Sequence, residues 1–222
     1  MNKGKRAFSI IIGILIVIIL GIVGFLAYYF ITNYLVLKEA EDAVDSFEEI
    51  VEELPKENVI ENTVVEPQNN QTVATTQNKT TTSGTKRSTS SYRGYNMIGT
   101  IQIPKTKVKA PVVDKVTVKS ISAAVGILYG PGLNEVGNTV LVAHNYRNGT
   151  FFSNNKKLVI GDKIYITDAT GRKIEYNVYN TYTTSDMDFS YATRDTNGKR
   201  EISLSTCTTD ASKRLVIWAK EN

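Results

Sequence analysis

The sequence holds very few residues of the kinds that cross-link a chain or carry out nucleophilic and acid–base chemistry. It has one cysteine, one histidine and five prolines in 222 residues. A single cysteine excludes a disulfide within the chain. The formal charge of +4 is unevenly divided: residues 1–91 carry 8 basic and 11 acidic side chains (net −3), and residues 92–222 carry 18 and 11 (net +7). A basic part can meet nucleic acid, an anionic membrane or an anionic wall polymer, so charge alone selects no partner.

Charge is missing altogether from Phe8 to Phe30, a run of 23 residues. As a helix this run would be roughly 35 Å long, enough to cross a bilayer core of about 30 Å. Basic residues precede the run and acidic residues follow it. The positive-inside rule therefore predicts a cytoplasmic N-terminus (1–7), a single-pass signal anchor (8–31) and an extracellular remainder. The length of the run and the lack of a small-x-small cleavage site favour an uncleaved anchor over a signal peptide.

An acidic juxtamembrane segment, residues 38–66, is predicted to be partly helical. Four apolar residues in it recur at helical spacing with acidic residues on the other faces, and Pro55 ends the pattern; the four are Val44, Phe47, Val51 and Leu54. The simplest interpretation is a solvated stalk. A dimerisation seam is the alternative, but less than two heptads is short for a coiled coil.

Residues 67–91 are predicted to form a disordered linker. Val73 and Ala74 are the only aliphatic residues in this Thr-, Ser- and Asn-rich stretch, so it cannot bury a core. No candidate catalytic group occurs before residue 92. We therefore expect a fragment that begins near Tyr92 to fold and to act on soluble substrates by itself.

The composition changes at Tyr92, where a single domain, residues 92–222, is predicted. Short runs that alternate apolar and polar residues predict strands, separated by Gly, Pro, Asn and Asp. The predicted strands are 97–103, 107–113, 126–130, 139–144, 163–167, 173–184, 201–207 and 214–220, with helical turns at 116–124 and 151–158. Eight short strands in some 130 residues indicate an all-β, closed or nearly closed barrel.

The only histidine and the only cysteine both lie at the ends of predicted strands, His144 after "TVLVA" and Cys207 after "EISLST". Taken singly, each is more often a structural residue than a catalytic one. In thiol catalysis the thiolate is the nucleophile, and a positive or proton-accepting neighbour favours it. Arg214 opens the next strand, and the turn "TTDASK" would return it beside Cys207. Asp210 lies in this turn, but turn aspartates usually bond their own backbone, so it is not assigned a catalytic role.

These residues carry a resemblance to a known family. The segments "IGTIQIPKTKVKAPVV", "NTVLVAHN", "FFSNNKKLVIGDKIYI", "ISLSTC" and "RLVIWAK" resemble the sortase family over roughly residues 97–220. The family signature is a Thr-Leu-x-Thr-Cys strand end, a histidine on another strand and an arginine just beyond the cysteine. This chain departs from it only at Ser203, where the family has threonine.

The resemblance implies a membrane-bound cysteine transpeptidase with an eight-stranded barrel. Such an enzyme cuts a Leu-Pro-x-Thr-Gly-like sorting signal between Thr and Gly and transfers the acyl group to an amine of a cell-wall precursor or a pilin lysine. By resemblance Cys207 is the nucleophile, His144 the acid that protonates the leaving amine, and Arg214 the group that binds carbonyl and oxyanion. Leu204 and Thr206 are assigned to substrate binding on the same basis.

The sequence also leads to expectations about the sortase subclass, cofactors and partners. No proline follows an aspartate, so the Asp-Pro-aromatic lid of pilin-polymerising sortases is not found, and a housekeeping or sporulation-type enzyme fits best. Acidic residues in the loops are scattered, so we predict no metal, no cofactor and no nucleic-acid partner. The alternative function is a membrane-tethered, non-catalytic β-barrel module that binds anionic cell-wall polymer. In that case the cysteine and the histidine would be structural.

Overall fold

The computed structural model describes residues 3–53 and 90–222. The elements are two helices, α1 (Lys3–Glu52) and α2 (Val118–Ile121), two 3-10 turns (Pro104–Thr106 and Phe152–Lys157) and nine strands. The strands are β1 (Ser90–Tyr92), β2 (Tyr95–Ile103), β3 (Val108–Val113), β4 (Val125–Tyr129), β5 (Gly137–Val142), β6 (Lys163–Asp168), β7 (Lys173–Ser185), β8 (Arg200–Cys207) and β9 (Lys213–Glu221). Each of the eight strands predicted from the sequence corresponds to one of these.

Eight of the strands form a closed β-barrel, as predicted. The order around the sheet is β2-β3-β4-β5-β8-β9-β7-β6, and pairing of β2 with β6 closes the ring. β1 pairs only with the start of β2, as a short hairpin outside the ring. Neighbouring strands are antiparallel except for β3–β4 and β5–β8, which are parallel. The parallel pair β5–β8 brings two strand ends, far apart in sequence, to the same end of the barrel.

The barrel interior is filled by apolar side chains from the alternating positions that predicted the strands. Ile101, Leu141, Ile166, Ile202 and Leu204 are at most 1% exposed and belong to one cluster. Such an interior is a packed core without a channel. Access to the domain is therefore confined to its surface and to the loops at the two ends of the barrel.

The N-terminal helix α1 is continuous over 50 residues and includes the whole predicted membrane span. Within the described residues it is the one helix long and apolar enough to cross a membrane. The predicted linker lies outside the described residues, apart from Ser90 and Ser91 at the start of β1. Pro55, which was expected to end the helix, and Leu54, the last residue of the apolar pattern, also lie outside them.

The second half of α1 packs on the barrel, so the interpretation of residues 38–53 as a solvated stalk is wrong. Ala40, Val44, Phe47 and Val51 are at most 5% exposed. They form one cluster with Tyr92, Met97, Val113, Ala123 and Ala124 of the barrel domain. The helical spacing that was recognised in the sequence is thus the spacing of an intramolecular packing face.

Acidic side chains of α1 meet basic and polar groups of the barrel beside this face. Glu39 is ion-paired with Arg93, and Asp45 with Lys109. Glu48 accepts hydrogen bonds from Thr100 Oγ1 (3.1 Å) and Gln102 Nε2 (2.9 Å). The opposite net charges of the two parts of the chain are therefore brought into contact across this interface.

Truncation of the central residue of this face tests the packing. Phe47→Ala should lower the free energy of unfolding of the full chain by about 3–5 kcal/mol, because it removes a fully buried aromatic ring. Denaturant unfolding in detergent micelles measures the change. The matched control is Ile50→Ala, one turn away and 44% exposed, for which a change of about 0.5 kcal/mol or less is expected. Equal losses for the two variants would contradict the packing.

Candidate active site

Cys207 and Arg214 form the last pair of the β8–β9 ladder. The two residues are opposite each other in the antiparallel register. Arg214 Nη1 donates a hydrogen bond to Cys207 Sγ at 2.8 Å. The cysteine is free and half-buried. An ionised sulfur at this position would accept a charge-assisted hydrogen bond from the guanidinium.

The six-residue turn between these strands is held by its own polar groups, as the sequence predicted. Thr208 N donates to Lys213 O at 2.9 Å, which closes the turn. Asp210 accepts from Ser212 Oγ at 2.8 Å and from the Ser212 amide at 3.2 Å. Hydrogen bonds from Thr208 and Ser212 lower the pKa of Asp210 to about 2. Asp210 therefore shapes the turn that returns Arg214 to the cysteine.

His144 lies beside the end of β8 because β5 and β8 run parallel. β5 ends at Val142, which pairs with Ser205, so His144 is two residues beyond the strand. Its two chain neighbours are tied to β8: Thr206 Oγ1 donates to Ala143 O at 2.8 Å, and Asn145 Nδ2 donates to Cys207 O at 3.0 Å. The structure thus brings His144, Cys207 and Arg214 to one end of the barrel.

The imidazole of His144 is half-buried and packs against an aromatic ring. The centroids of His144 and Tyr146 are 5.1 Å apart. Burial, and then the positive charge of Arg214, hold the pKa of His144 below its ordinary value. Both effects favour the neutral imidazole over the imidazolium.

A small pocket of about 120 Å³ opens next to the sulfur. Cys207 lines it together with residues of the 3-10 turn and of β7 and β9, among them Phe152, Ser153, Thr183 and Leu215. The walls combine an aromatic ring, a leucine and hydroxyl groups. The pocket is large enough for a short side chain beside the sulfur.

Two residues assigned to substrate binding do not face this pocket. Leu204 is 1% exposed and belongs to the barrel core, and Thr206 is 3% exposed with its hydroxyl bonded to Ala143 O. Both faces of β8 are covered near Leu204 and Thr206, so these two side chains have no exposed surface that a ligand could contact. Leu204 packs the barrel and Thr206 joins the ends of β8 and β5.

Other residues of the site were not identified from the sequence. Asn145 and Tyr146 follow the histidine directly, and Phe152 lies in the 3-10 turn that was predicted only as a turn. Adjacency to His144 is the one signal that could have indicated the first two. In the described parts of the chain, no group of three or more His, Cys, Asp or Glu side chains could hold a metal ion.

A free thiol at the end of β8, a guanidinium hydrogen-bonded to it and an imidazole two residues beyond the end of the adjacent β5 are the kinds of group that thiol-based acyl transfer uses. A sequence profile described as the Sortase domain matches residues 101–222, more than half of the chain. The chain therefore belongs to the sortase family, whose members are cysteine transpeptidases that sort proteins to the cell wall.

Solved structures agree with this assignment. The lid mutant of sortase A from Corynebacterium diphtheriae is 27% identical with a TM-score of 0.52, and the match covers 57% of this chain and 70% of that one. Sortase C1 of GBS Pilus Island 1 is 27% identical with a TM-score of 0.52, covering 57% and 64%. The pilus-related sortase C of Group B Streptococcus is 30% identical with a TM-score of 0.52, covering 57% and 67%. A search of curated proteins found no match.

The single histidine allows the electrostatics of the site to be measured directly. We expect the NMR titration midpoint of His144 to lie below the ordinary value of 6.5. It should rise in Arg214→Gln, because removal of a nearby positive charge favours the imidazolium. The control is Arg200→Gln, at the opposite end of β8, which should leave the midpoint unchanged. A midpoint that does not respond to Arg214→Gln would show that the two side chains do not interact.

Proposed function

We propose that this protein is a membrane-anchored transpeptidase that cleaves a Leu-Pro-x-Thr-Gly-like sorting signal between Thr and Gly. It then joins the new carboxyl end to an amine of a cell-wall precursor or of a pilin lysine. The observation that carries the proposal is the 2.8 Å hydrogen bond from Arg214 to the Cys207 sulfur, at a barrel end that also holds the only histidine.

In the first half of the reaction, the Cys207 thiol passes its proton to His144, and the resulting thiolate attacks the carbonyl carbon of the threonine in the Thr-Gly bond. The negative charge that develops on the carbonyl oxygen is stabilised by the Arg214 guanidinium, which has donors to spare beyond the one on sulfur. The C–N bond breaks, and His144 in its protonated form gives a proton to the departing glycine amine. The product is a thioester between Cys207 and the threonine carbonyl.

In the second half, the acceptor amine attacks the thioester carbon. The C–S bond breaks with the electron pair returning to sulfur, a proton of the amine passes to His144, and a new amide is released. Transfer of that proton from His144 to the sulfur returns the enzyme to its starting state, with no change in oxidation level. No metal or cofactor is needed for any step.

The proposal also includes the location. We place residues 1–7 in the cytoplasm, the span 8–31 in the cell membrane and the barrel outside, since basic residues precede the apolar run and acidic residues follow it. The proposed partners, proteins that carry a sorting signal and amines of the growing wall, are both found on that side of the membrane.

The experiment is to incubate the full chain in detergent micelles with a library of sorting-signal peptides and candidate amines, and to identify products by mass. We expect products joined at threonine, and a free peptide that begins with glycine. Cleavage at another bond, or recovery of intact peptides in the presence of every amine tested, would overturn the proposal.

A further inference from the structure

The loop that follows the candidate catalytic histidine touches α1 where the helix leaves the proposed membrane span. Asn148 Nδ2 donates to Asn33 Oδ1 at 3.1 Å. Asn148 is four residues after His144, and Asn33 is two residues after the span boundary at Ile31, which is about 3 Å along a helix. The active-site loop is therefore fixed close to the level at which the helix enters the bilayer.

The other end of the barrel is far from this level. Val51 of α1 packs on Gly171, where a Cβ atom would come within 2.7 Å of Val51 Cγ1. Gly171 lies in the turn before β7, whereas Thr184 near the end of β7 is paired with Arg214. Asn33 and Val51 are 18 residues apart, about 27 Å along the helix. The helix thus runs from the active-site end of the barrel to the opposite end.

The span and the barrel are connected by one continuous helix that packs on the barrel. α1 has no break between the two, and its packing face is continuous: the half-buried Asn33 and Val36 are followed by the buried Ala40, Val44 and Phe47. The ion pairs of Glu39 and Asp45 lie along the same helix. The angle and height of the barrel relative to the span are therefore set by side-chain packing.

We propose that the active-site end of the barrel rests on the outer surface of the lipid bilayer, with Tyr146 and Arg147 at the level of the headgroups. Both side chains are exposed. An aromatic ring next to an arginine suits the boundary between acyl chains and anionic headgroups. Tyr146 also packs on His144, so the bilayer contact lies directly beside the candidate acid. The inference rests on the proposed membrane anchor and on the proposed transpeptidase function.

The orientation restricts the substrate. A bond to be cleaved must lie close to the membrane surface to reach Cys207, so a client held in the bilayer by a segment directly after its sorting signal is favoured. A client whose signal is separated from its anchor by a long flexible spacer presents that signal to the site at a lower effective concentration.

Depth measurements test the orientation without reference to activity. In Cys207→Ala, a fluorophore is attached to Arg147→Cys or, as the matched control, to Lys173→Cys at the start of β7. The full chain is inserted in nanodiscs with anionic lipid that carry a nitroxide on the headgroup. We expect strong quenching at position 147 and none above the nanodisc-free background at position 173. Equal quenching at the two positions, or stronger quenching at 173, overturns the orientation.

A third label, at Ile12→Cys within the span, separates this inference from the anchor on which it rests. Quenching by acyl-chain nitroxides at position 12 with no headgroup quenching at 147 overturns the orientation and leaves the anchor standing. No quenching at position 12 overturns the anchor, and the orientation with it. Neither result bears on peptide cleavage in detergent, which tests the transpeptidase by itself.

Raising the barrel above the bilayer surface tests the proposed restriction on substrates. Seven helix-forming residues inserted after Leu37 lift the barrel by about 10 Å and turn it by only about 20°. Cleavage of a nanodisc-held substrate with its signal next to its span should fall about tenfold or more, while a short soluble peptide is cleaved at the original rate. The same insertion after Glu53, beyond the last packed residue of α1, should change neither. Loss of both activities to the same degree, or of neither, contradicts the restriction.

Discussion

Cys207→Ala should abolish peptide cleavage and amine transfer together while the barrel stays folded. The reason is that both half-reactions pass through a thioester, which a methyl group cannot form. The side chain is at the end of β8, half-buried and outside the barrel core, so its truncation removes little packing. Intact-mass spectrometry with a peptide and no acceptor amine measures the acyl-enzyme, and denaturant unfolding measures the fold.

The wild-type chain should carry one acyl group, located at Cys207 after digestion, and the variant none. Cys207→Ser is the closest matched variant, because it keeps the size of the side chain but replaces the thiol by a hydroxyl that does not ionise near neutral pH. We expect it to be inactive as well. Trapping of the acyl group at another residue, or turnover by Cys207→Ala, would refute the assignment of the nucleophile. Unchanged wall-polymer binding with no acylation in either protein would favour the non-catalytic module instead.

Arg214→Lys should reduce turnover about a hundredfold or more, comparable to deletion of an oxyanion-hole donor. The substitution keeps the positive charge but loses the planar fork, which can bond the sulfur and a carbonyl oxygen at the same time. In the structure Nη1 donates a hydrogen bond to Cys207 Sγ. The remaining N–H donors of the guanidinium are the ones proposed to bind the substrate carbonyl oxygen.

The kcat and KM of the two proteins on one sorting peptide measure the effect. Arg200→Lys is the matched control, since Arg200 is on β8 at the opposite end of the barrel and is ion-paired with Glu221. We expect near-normal rates for it. Near-normal turnover by Arg214→Lys would show that catalysis depends on the positive charge at position 214 and does not depend on the planar geometry of the guanidinium.

The sequence was sufficient to predict the barrel because its signals are local. Alternation along the strands is caused by one side of the sheet facing the core, and each strand carries that pattern itself. The return of Arg214 to Cys207 was also local, since six turn residues join two strands that must pair. The juxtaposition of His144 and Cys207 is different: 63 positions separate them, and apart from the family resemblance the sequence showed only that each lies at the end of a predicted strand.

The contacts that could not be predicted depend on which part of the molecule covers a given side chain. A sequence pattern does not identify that part. The residues Ala40, Val44, Phe47 and Val51 indicate a helix with one apolar face. They do not show whether that face is exposed to solvent, packed on a second copy or packed on the same chain. Leu204 and Thr206 show the same limit: a motif records which residue types occur, whereas their burial follows from both faces of β8 being covered. The packing of Tyr146 on His144 depends on the path of a loop. Loop sequences have no periodic pattern from which that path could be predicted.

The position of β9 between β8 and β7 means that the surroundings of Cys207 are complete only after β9 has inserted. β8 precedes β9 in the chain, and before β9 is in place β8 has β5 as its only neighbour in the ring. The cysteine has no guanidinium beside it until the segment from Lys213 to Glu221 has inserted between its two neighbours. A chain in which β8 has folded and β9 has not therefore lacks the Arg214 guanidinium beside the sulfur, and we expect it to be inactive until β9 is in place.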